Sequence, residues 1–285
     1  MNNLTVRTIA GFVFTTVVIG SALLGPWALG AVFFFFALVG LFEFYQMVSH
    51  DSQEKPRTVF GFALGIGLYV MLMFHAMDKL ESVAFWLLVP VLVLLLVAEL
   101  IHLDKRAVDH ISVTVMGLFY VIIPFAMVND LAFITGKFEW EIPLGFFIIL
   151  WGNDTAAYIT GKFLGRTKLY EKVSPNKTWE GLIGGVVAAI FGGYILSKYF
   201  VSLDAKHWMI VAAIIAVFAN LGDLFESHLK RSYGVKDSGN IIPGHGGVLD
   251  RFDGLLLALP VVIFYLKFIQ SRQSTRKELR IYSQH

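Results

Sequence analysis

Nine long apolar stretches divide this chain of 285 residues, and they constrain its fold more than any other feature. A helix needs about 20 largely apolar residues to cross the hydrocarbon core of a bilayer. Only 15% of the residues are charged, whereas soluble domains carry about 25%. We therefore predict an all-α, polytopic integral membrane protein with about nine transmembrane helices. The predicted spans, of which the last is short, are Leu4 to Leu24, Pro26 to Met47, Val59 to Met77, Ser82 to Ile101, Ile111 to Phe133, Pro143 to Leu164, Trp179 to Phe200, His207 to Phe225 and Gly254 to Ile269.

Charge and cysteine content exclude several classes of function. The net charge is only +2, so there is no basic field that would indicate a nucleic-acid partner. The chain has no cysteine, which excludes a disulfide framework, thiol catalysis and cysteine-bound metal. The first apolar stretch runs directly into the second without a small-residue cleavage site. We interpret it as a retained anchor and not as a signal peptide.

Lysine and arginine are distributed unequally between the two sets of connections. Alternation of nine spans places fourteen of them on one side, and only Lys79, Lys137, Lys198 and Lys206 on the other. The richer side is predicted to be cytoplasmic, with both long polar loops facing it. The basic tail conflicts with this rule, because nine spans place it outside. Either the last span is re-entrant, or a span is miscounted, or the tail does not follow the rule.

The chain is predicted to contain three regions. Residues 1–140 form an amino-terminal transmembrane region for packing and lipid access, residues 141–270 form the catalytic region with its cytoplasmic loops, and residues 271–285 form a basic tail. Glu43 and Glu99 are the main polar residues of the first region. Both lie near cytoplasmic ends of spans, where a carboxylate reaches water, so we interpret them as structural.

Polar residues interrupt the sixth span at Asn153 and Asp154, with Tyr158 one turn further on. An aspartate inside an apolar span is costly unless it is paired, hydrated or metal-bound, so a functional role is the default interpretation. The alternative is a buried aspartate paired with a basic residue, for example Lys230 or Arg231. For Asn153 the functional and structural interpretations stand equal.

A second polar segment, residues 172–181, precedes the seventh span. Ser174 is predicted to be a helix N-cap, with Pro175 at the first helical position; Asn176 or Thr178 are alternative caps. A helix N-terminus binds anions, and Lys177 adds a full positive charge. The alternative is an ordinary capped helix with interfacial lysines.

Residues 222–253 carry charges of both signs directly after an apolar run, together with several glycines. Asp223, Ser227 and Lys230 have the spacing of one helix face. Carboxylates hold Mg²⁺, which keeps waters and bridges to substrate phosphates, and Asp223 and Asp250 are candidates to supply those oxygens from opposite ends of the loop. Asp250 and Asp253, three residues apart, are the alternative pair. The whole stretch is predicted to bind a phosphorylated ligand through metal and cations; the alternative is a loop of structural ion pairs.

Four cations of this stretch are suited to neutralising a polyphosphate, with arginine able to make bidentate contacts. Asp237, which follows Lys236 in the same loop, is also a candidate substrate-binding residue. His245 lies between two glycines, where it would orient a phosphate, shuttle a proton or stabilise a turn, and we assign it to positioning. The four cations are Lys230, Arg231, Lys236 and Arg251.

Residues 227–253, which we call the signature loop, resemble the signature of the phosphatidate cytidylyltransferases, or CDP-diacylglycerol synthases. The matching pattern is Ser227-x-Leu-Lys-Arg-x4-Lys-Asp-x-Gly-x2-Ile-Pro-x-His-Gly-Gly-Val-x-Asp-Arg-Phe-Asp253. More than a dozen constrained positions within 27 residues make the pattern highly specific. The segments Asn153-Asp154-x3-Tyr158 and Ser174-Pro-x-Lys-Thr-Trp-Glu-Gly181 also resemble that family. The resemblance covers about residues 145–260, and the first half matches only in having several spans.

The resemblance implies an enzyme of the inner or plasma membrane, with its site facing the cytoplasm, that joins CTP to phosphatidic acid. It implies Mg²⁺, with a second cation such as K⁺ in a paired site, and a homodimer. The family's metal aspartates map onto Asp223 and Asp250. Its essential serine, lysine and arginine map onto Ser227, Lys230 and Arg231.

Two other functions compete with this interpretation. One is a different membrane enzyme that uses CTP, either an isoprenoid-lipid cytidylyltransferase or a CTP-dependent lipid kinase. The other is a cation-coupled transporter that uses Asp154 and Asp223. A transporter predicts inverted repeats with paired broken helices, and the sequence contains none that we detect.

Overall fold

The computed structural model of the protein describes residues 3–50, 55–102, 105–171, 173–241, 244 and 246–282. Within these ranges the chain forms ten α-helices and one small hairpin. The hairpin pairs β1 (Lys168–Tyr170) antiparallel with β2 (Ser174–Thr178). The helices are α1 (Asn3–Leu24), α2 (Pro26–Val48), α3 (Thr58–Ala76), α4 (Leu88–His102), α5 (Ala107–Gly117), α6 (Ile123–Ala132), α7 (Glu141–Leu164), α8 (Trp179–Leu196), α9 (Ala205–Ser232) and α10 (Leu249–Tyr282).

The helices confirm the prediction of an all-α membrane protein with about nine spans. Eight helical segments of the described chain are long and apolar enough to cross a bilayer, and Arg7–Leu23 is a shorter apolar helix. One span, Ala107–Ala132, consists of α5 and α6 joined by the π-helical turn Leu118–Ile122. The last span is longer than predicted, because its helix begins at Leu249 and not at Gly254.

Contacts between helix ends show which connections lie at the same end of the helix bundle. Arg7 at the start of α1 donates from Nε to the Gly244 carbonyl at 2.9 Å, which places it beside the loop that precedes α10. At the other end of α10, Lys267 contacts Asp130 at 3.2 Å. The tail therefore begins on the face opposite that loop. Since α10 runs as one helix through this contact, the last span is not re-entrant.

A single aromatic core joins the two halves of the chain. The ring of Phe252 in α10 lies 5.1 Å from that of Phe36 in α2 and 4.9 Å from that of Phe125 in α6. It also contacts Phe14 in α1, at 5.2 Å, and Phe147 in α7, at 6.3 Å. Packing thus crosses residue 140, and α1 and α2 support the helix that follows the signature loop.

Glycine allows α9 and α10 to approach closely at the start of the signature segment. A Cβ added at Gly222 would overlap the backbone carbonyl oxygen of Asp253 and would lie 3.3 Å from the Cα of Gly254. Both obstacles are backbone atoms of α10, so they cannot rotate away. The close approach brings Asp223, which follows Gly222, near Asp253, which precedes Gly254.

Gly222→Ala is therefore expected to destabilise the protein. Overpacking against backbone costs about 1–3 kcal/mol, which lowers the melting temperature by about 2–4 °C per kcal/mol in a domain of this size. Thermal unfolding in detergent, followed by intrinsic fluorescence, measures the shift. Gly192→Ala is the matched control, since nothing lies within 4 Å of its added Cβ. Equal melting temperatures for the two variants would contradict the packing described here.

Candidate active site

A cavity of about 810 Å³, which we call the main cavity, lies between α1, α7, the hairpin, α8, α9 and α10. Its wall combines charged groups with apolar side chains such as Phe14 and Trp151. The predicted site residues that line it are Asp154, Tyr158, Ser174, Lys177, Thr178, Asp223, Asp250 and Arg251, and Asp253 joins them. Residues that are distant in the sequence are thus brought to one chamber.

Asp154 faces the main cavity from the middle of α7. Its Oδ1 accepts a hydrogen bond from Nδ2 of Asn153 at 3.1 Å. Neither Lys230 nor Arg231 pairs with it, so the alternative of a structural ion pair with those residues is wrong. Asn153 itself is fully buried and packs against Gly185 of α8, where an added Cβ would lie 2.7 Å from Oδ1 of Asn153.

Asp223 connects the hairpin to α9. Its Oδ2 lies 2.5 Å from Nζ of Lys177, and its Oδ1 accepts from Ser227 Oγ at 3.2 Å. The Asp223 side chain is 38% exposed, so a ligand in the cavity reaches it. Lys177 also contacts the Asn220 carbonyl at 3.4 Å. The predicted phosphate-binding lysine and the predicted metal ligand therefore meet directly.

Asp250 is more enclosed, and both its oxygens have partners. Oδ1 lies 2.5 Å from Nζ of Lys230, while Oδ2 accepts from the Ser238 amide and hydroxyl at 2.9 Å each and from the Gly247 amide at 2.8 Å. Lys230 also bonds to Glu226 at 2.9 Å. This buried acid–base–acid group links α9 to α10. Removing Lys230 would leave two buried carboxylates without a compensating positive charge.

The carboxylates of the main cavity fit a hard divalent cation. No three His, Asp or Glu side chains within the described residues are grouped as a metal ion held by protein alone would require. Mg²⁺ does not need such a group, because it is commonly held by one or two carboxylates, water and substrate phosphates. Asp223 fits this role best, and Asp154 and Asp253 line the same chamber. Asp250 could offer a metal ion only one lone pair of Oδ1, because its other acceptor positions are already occupied by protein groups.

Ser174 is not a helix N-cap, so that prediction is wrong. Residues Ser174–Thr178 form β2, whose pairing with β1 keeps this backbone extended. Helix α8 begins at Trp179, and its N-cap is Thr178, whose hydroxyl accepts from the Gly181 amide at 3.2 Å. The hairpin, and not a helix terminus, therefore carries Lys177 into the cavity.

Other predicted residues lie outside the main cavity. Ser227 supports Asp223, Lys230 is buried between carboxylates, and Arg231 is exposed and donates to the Val235 carbonyl at 3.1 Å. Lys236 and Asp237 line a second, polar pocket, and His245 lies outside the described residues. The other residues lining this pocket are Arg7, Asn240, Gly244, Gly246 and Arg251, and we call it the basic pocket.

Glu43 supports the site, whereas its position in the sequence predicted only a structural role. It is fully buried, which contradicts the expectation that it reaches water; Glu99, at 4% exposure and paired with Arg57, contradicts it too. The Glu43 carboxylate accepts from the amides of Val248 and Leu249 at 2.9 and 3.0 Å. It thereby caps α10 from another helix. The sequence feature that could have indicated this role is the presence of a carboxylate within an apolar helix.

Glu43 also shapes the loop before α10. A Cβ added at Gly239 would lie 2.6 Å from Oε1 of Glu43, and one added at Gly247 would lie 2.5 Å from Oε2. Ser238 Oγ lies 3.4 Å from Glu43 and 2.9 Å from Asp250. The glycines of the signature therefore leave room for the glutamate that holds the loop.

Known proteins match this chain over most of its length. A phosphatidate cytidylyltransferase from Staphylococcus haemolyticus (strain JCSC1435) is 32% identical over 259 residues, which are 90% of this chain and 96% of that protein. One from Staphylococcus aureus (strain COL) is 34% identical over 229 residues, or 79% of this chain and 85% of that protein. One from Staphylococcus epidermidis (strain ATCC 12228 / FDA PCI 1200) is 32% identical over 259 residues.

The sequence model of the cytidylyltransferase family extends further than the resemblance seen in the motifs. It matches residues 5–269, so it includes the amino-terminal helices that the motif comparison left out. This agrees with the structure, in which α1 lines the main cavity and α2 supplies Glu43. The chain belongs to the cytidylyltransferase family.

Proposed function

We propose that this protein is a phosphatidate cytidylyltransferase, which converts CTP and phosphatidic acid into CDP-diacylglycerol and pyrophosphate. Its relatives at 32–34% identity carry that name. The observation that carries the proposal is the mixed wall of the main cavity. Aspartates and Lys177 suit nucleotide and lipid phosphates, while Phe14 and Trp151 suit the apolar part of a lipid.

The proposed reaction is an in-line nucleotidyl transfer. An oxygen of the phosphatidate phosphate attacks the α-phosphorus of CTP, the bond from that phosphorus to the bridging oxygen breaks, and pyrophosphate leaves with the electron pair. Phosphatidate is already ionised, so no strong general base is required. Such transfers depend on positioning and charge neutralisation. Lys177 supplies a positive charge that neutralises phosphate. Lys230, which is held between Glu226 and Asp250, positions Asp250 at the cavity wall.

We assign a Mg²⁺ site to Asp223, with Asp250 on the same wall, and an accompanying cation such as K⁺ stays part of the proposal. When bound, the metal neutralises negative charge on the reacting phosphates. Lys177 holds the Asp223 carboxylate at 2.5 Å and keeps it oriented towards the chamber. Ser227 fixes the other oxygen, so the carboxylate has a defined direction.

We further propose a plasma-membrane location with the main cavity facing the cytoplasm, and a homodimer. Support for the orientation comes from the lysines and arginines, because alternation of the predicted spans assigns fourteen of them to the side of the signature loop. The dimer follows from the family resemblance. Light scattering of the detergent-purified protein measures its mass, and protease accessibility in sealed inverted vesicles measures the orientation of the loop.

The proposed activity is tested with the isolated protein, phosphatidic acid, Mg²⁺ and CTP labelled at the α-phosphate. Label is expected in the lipid product, and chelation of Mg²⁺ should abolish its appearance. A CTP-dependent kinase would leave this label in CDP and transfer a γ-label instead. An isoprenoid-lipid enzyme would require an isoprenoid phosphate as acceptor. Absence of labelled lipid with phosphatidate would contradict the proposal.

Lys177→Ala is expected to raise the KM for CTP more than the KM for phosphatidate. Loss of one charge-assisted phosphate contact costs about 1.5–3 kcal/mol, or roughly tenfold or more in KM. Steady-state kinetics with each substrate varied in turn measures both constants. Arg166→Ala, just before β1, is the matched control, because Arg166 is exposed beside the same hairpin and does not line the cavity. A larger increase for the lipid would assign this hairpin to phosphatidate.

A further inference from the structure

The basic pocket differs in character from the main cavity. It has a volume of about 560 Å³, and its described lining residues are charged side chains, one amide and two glycines. The main cavity, in contrast, includes Phe14, Trp151 and Leu182 in its wall. An acyl chain finds apolar partners in the main cavity, whereas the described wall of the basic pocket suits a ligand that is charged throughout.

The basic pocket carries excess positive charge. Arg7, Lys236 and Arg251 line it, and Asp237 is the one acidic side chain among its described lining residues. Within the described part of the chain, none of the three cations forms an ion pair with a carboxylate. Cations held together without such partners create a positive potential that attracts an anion. Two of them are arginines, which bind phosphate oxygens in bidentate fashion.

The loop is built around Arg7, although that residue is distant in sequence. Its Nε donates to the carbonyl of Gly244 at 2.9 Å. Gly244 has a φ of +75°, and an added Cβ there would lie 2.9 Å from Cγ of Arg7. A side chain at this position would therefore meet both backbone strain and steric overlap. Glycine at position 244, in its left-handed conformation, therefore leaves room for the Arg7 side chain of α1 in the wall of the pocket.

Arg251 lines both the basic pocket and the main cavity. A phosphate chain that starts at the carboxylates of the main cavity can therefore continue past Arg251 towards Arg7 and Lys236. In an in-line transfer the leaving group departs on the side opposite the attacking oxygen. A lipid held by the apolar wall of the main cavity would leave the polar side for that group.

We propose that the basic pocket binds the pyrophosphate moiety, first as the β- and γ-phosphates of the bound nucleotide and then as the released product. This inference rests on the proposed function, because it assigns the leaving group of that reaction to the pocket. Arg7 is the new residue in this assignment. Its guanidinium would stabilise negative charge that develops as the bond to the α-phosphorus breaks.

The test is calorimetric titration of the purified full-length protein with three separate probes in magnesium buffer: pyrophosphate, CMP and dihexanoyl phosphatidate. Lys236→Gln and Arg7→Gln are each expected to weaken pyrophosphate binding by about tenfold, the effect of losing one charged contact. Binding of CMP and of the phosphatidate should change less than twofold. The matched control is Lys206→Gln, an exposed lysine on the opposite face, which should change none of the three.

Two variants are needed because Arg7 also bonds to the loop, whereas no hydrogen bond or ion pair is seen for Lys236 within the described residues. Unchanged pyrophosphate affinity in Lys236→Gln would overturn the proposal. A selective loss of phosphatidate affinity would assign the pocket to the lipid headgroup, and an equal loss for all probes would indicate a purely structural role. The titrations involve no turnover, so this outcome is independent of whether CDP-diacylglycerol is formed.

Discussion

Asp223→Asn is expected to lower turnover by on the order of 10³-fold, the range for loss of a group that stabilises charge in the transition state. The amide keeps the size of the side chain but removes its negative charge, so it no longer suits a divalent cation and no longer neutralises Lys177. Protein yield and oligomer mass should stay unchanged, because the carboxylate is 38% exposed. Initial rates of CDP-diacylglycerol formation across a Mg²⁺ titration measure the effect.

Asp250→Asn should lower turnover to a similar extent, and it should also destabilise the protein. Asp250 is 7% exposed and holds Lys230, so the asparagine would leave that lysine with Glu226 as its only acidic partner. Its melting temperature should therefore fall below that of Asp223→Asn. Asp204→Asn on the opposite face is the control, since the Asp204 side chain makes no capping bond to α9. Normal turnover in either site variant would remove the metal assignment.

Glu43→Ala is expected to reduce both stability and turnover. The substitution leaves the amides of Val248 and Leu249 buried without their acceptor, at about 1–3 kcal/mol for each unsatisfied group. The melting temperature should then fall by about 2–4 °C per kcal/mol in a domain of this size. Because Glu43 also holds the loop that supplies Ser238 and Gly247 to Asp250, the residual kcat should fall by about 10–100-fold, as for other supporting contacts.

Glu43→Gln separates the two effects, because it fills the same space but presents an amide group towards amide donors. Its kcat per folded molecule should still fall. Glu99→Gln is the matched control: Glu99 is also buried and lies on the same face, but it pairs with Arg57, away from the loop. That variant should lose stability and keep its kcat. A Glu43→Gln enzyme with unaltered kcat would limit Glu43 to a structural role.

Much of the site could be predicted because its residues lie in short, distinctive segments. An aspartate inside an apolar span is costly unless it is paired, hydrated or bound to metal. Charges of both signs beside several glycines in residues 222–253 are unusual for a structural loop, and both features were visible in the sequence. Asp154, Lys177, Asp223 and Asp250 line one cavity, as their segments predicted. The helix cap at Ser174 was wrong because a local pattern does not show that these residues pair with β1.

The roles of individual charges depended on partners far along the chain. Lys230 was expected to face substrate phosphates, yet it is enclosed by Glu226 and Asp250, because α9 and α10 approach closely at Gly222. Glu43 was expected to reach water, yet it caps α10 across a separation of 206 residues. Spacing along one helix predicts neighbours on that helix only.

The sequence by itself determined the membrane class, the approximate number of spans, the family and the segments that line the main cavity, because hydropathy and local motifs are properties of contiguous residues. Tertiary structure alone decided which carboxylates face the cavity, which are neutralised by lysine, and how Glu43 and Arg7 enter the signature loop. Those outcomes depend on helix packing, in which glycines permit backbone contact and bring together groups that are distant in the chain.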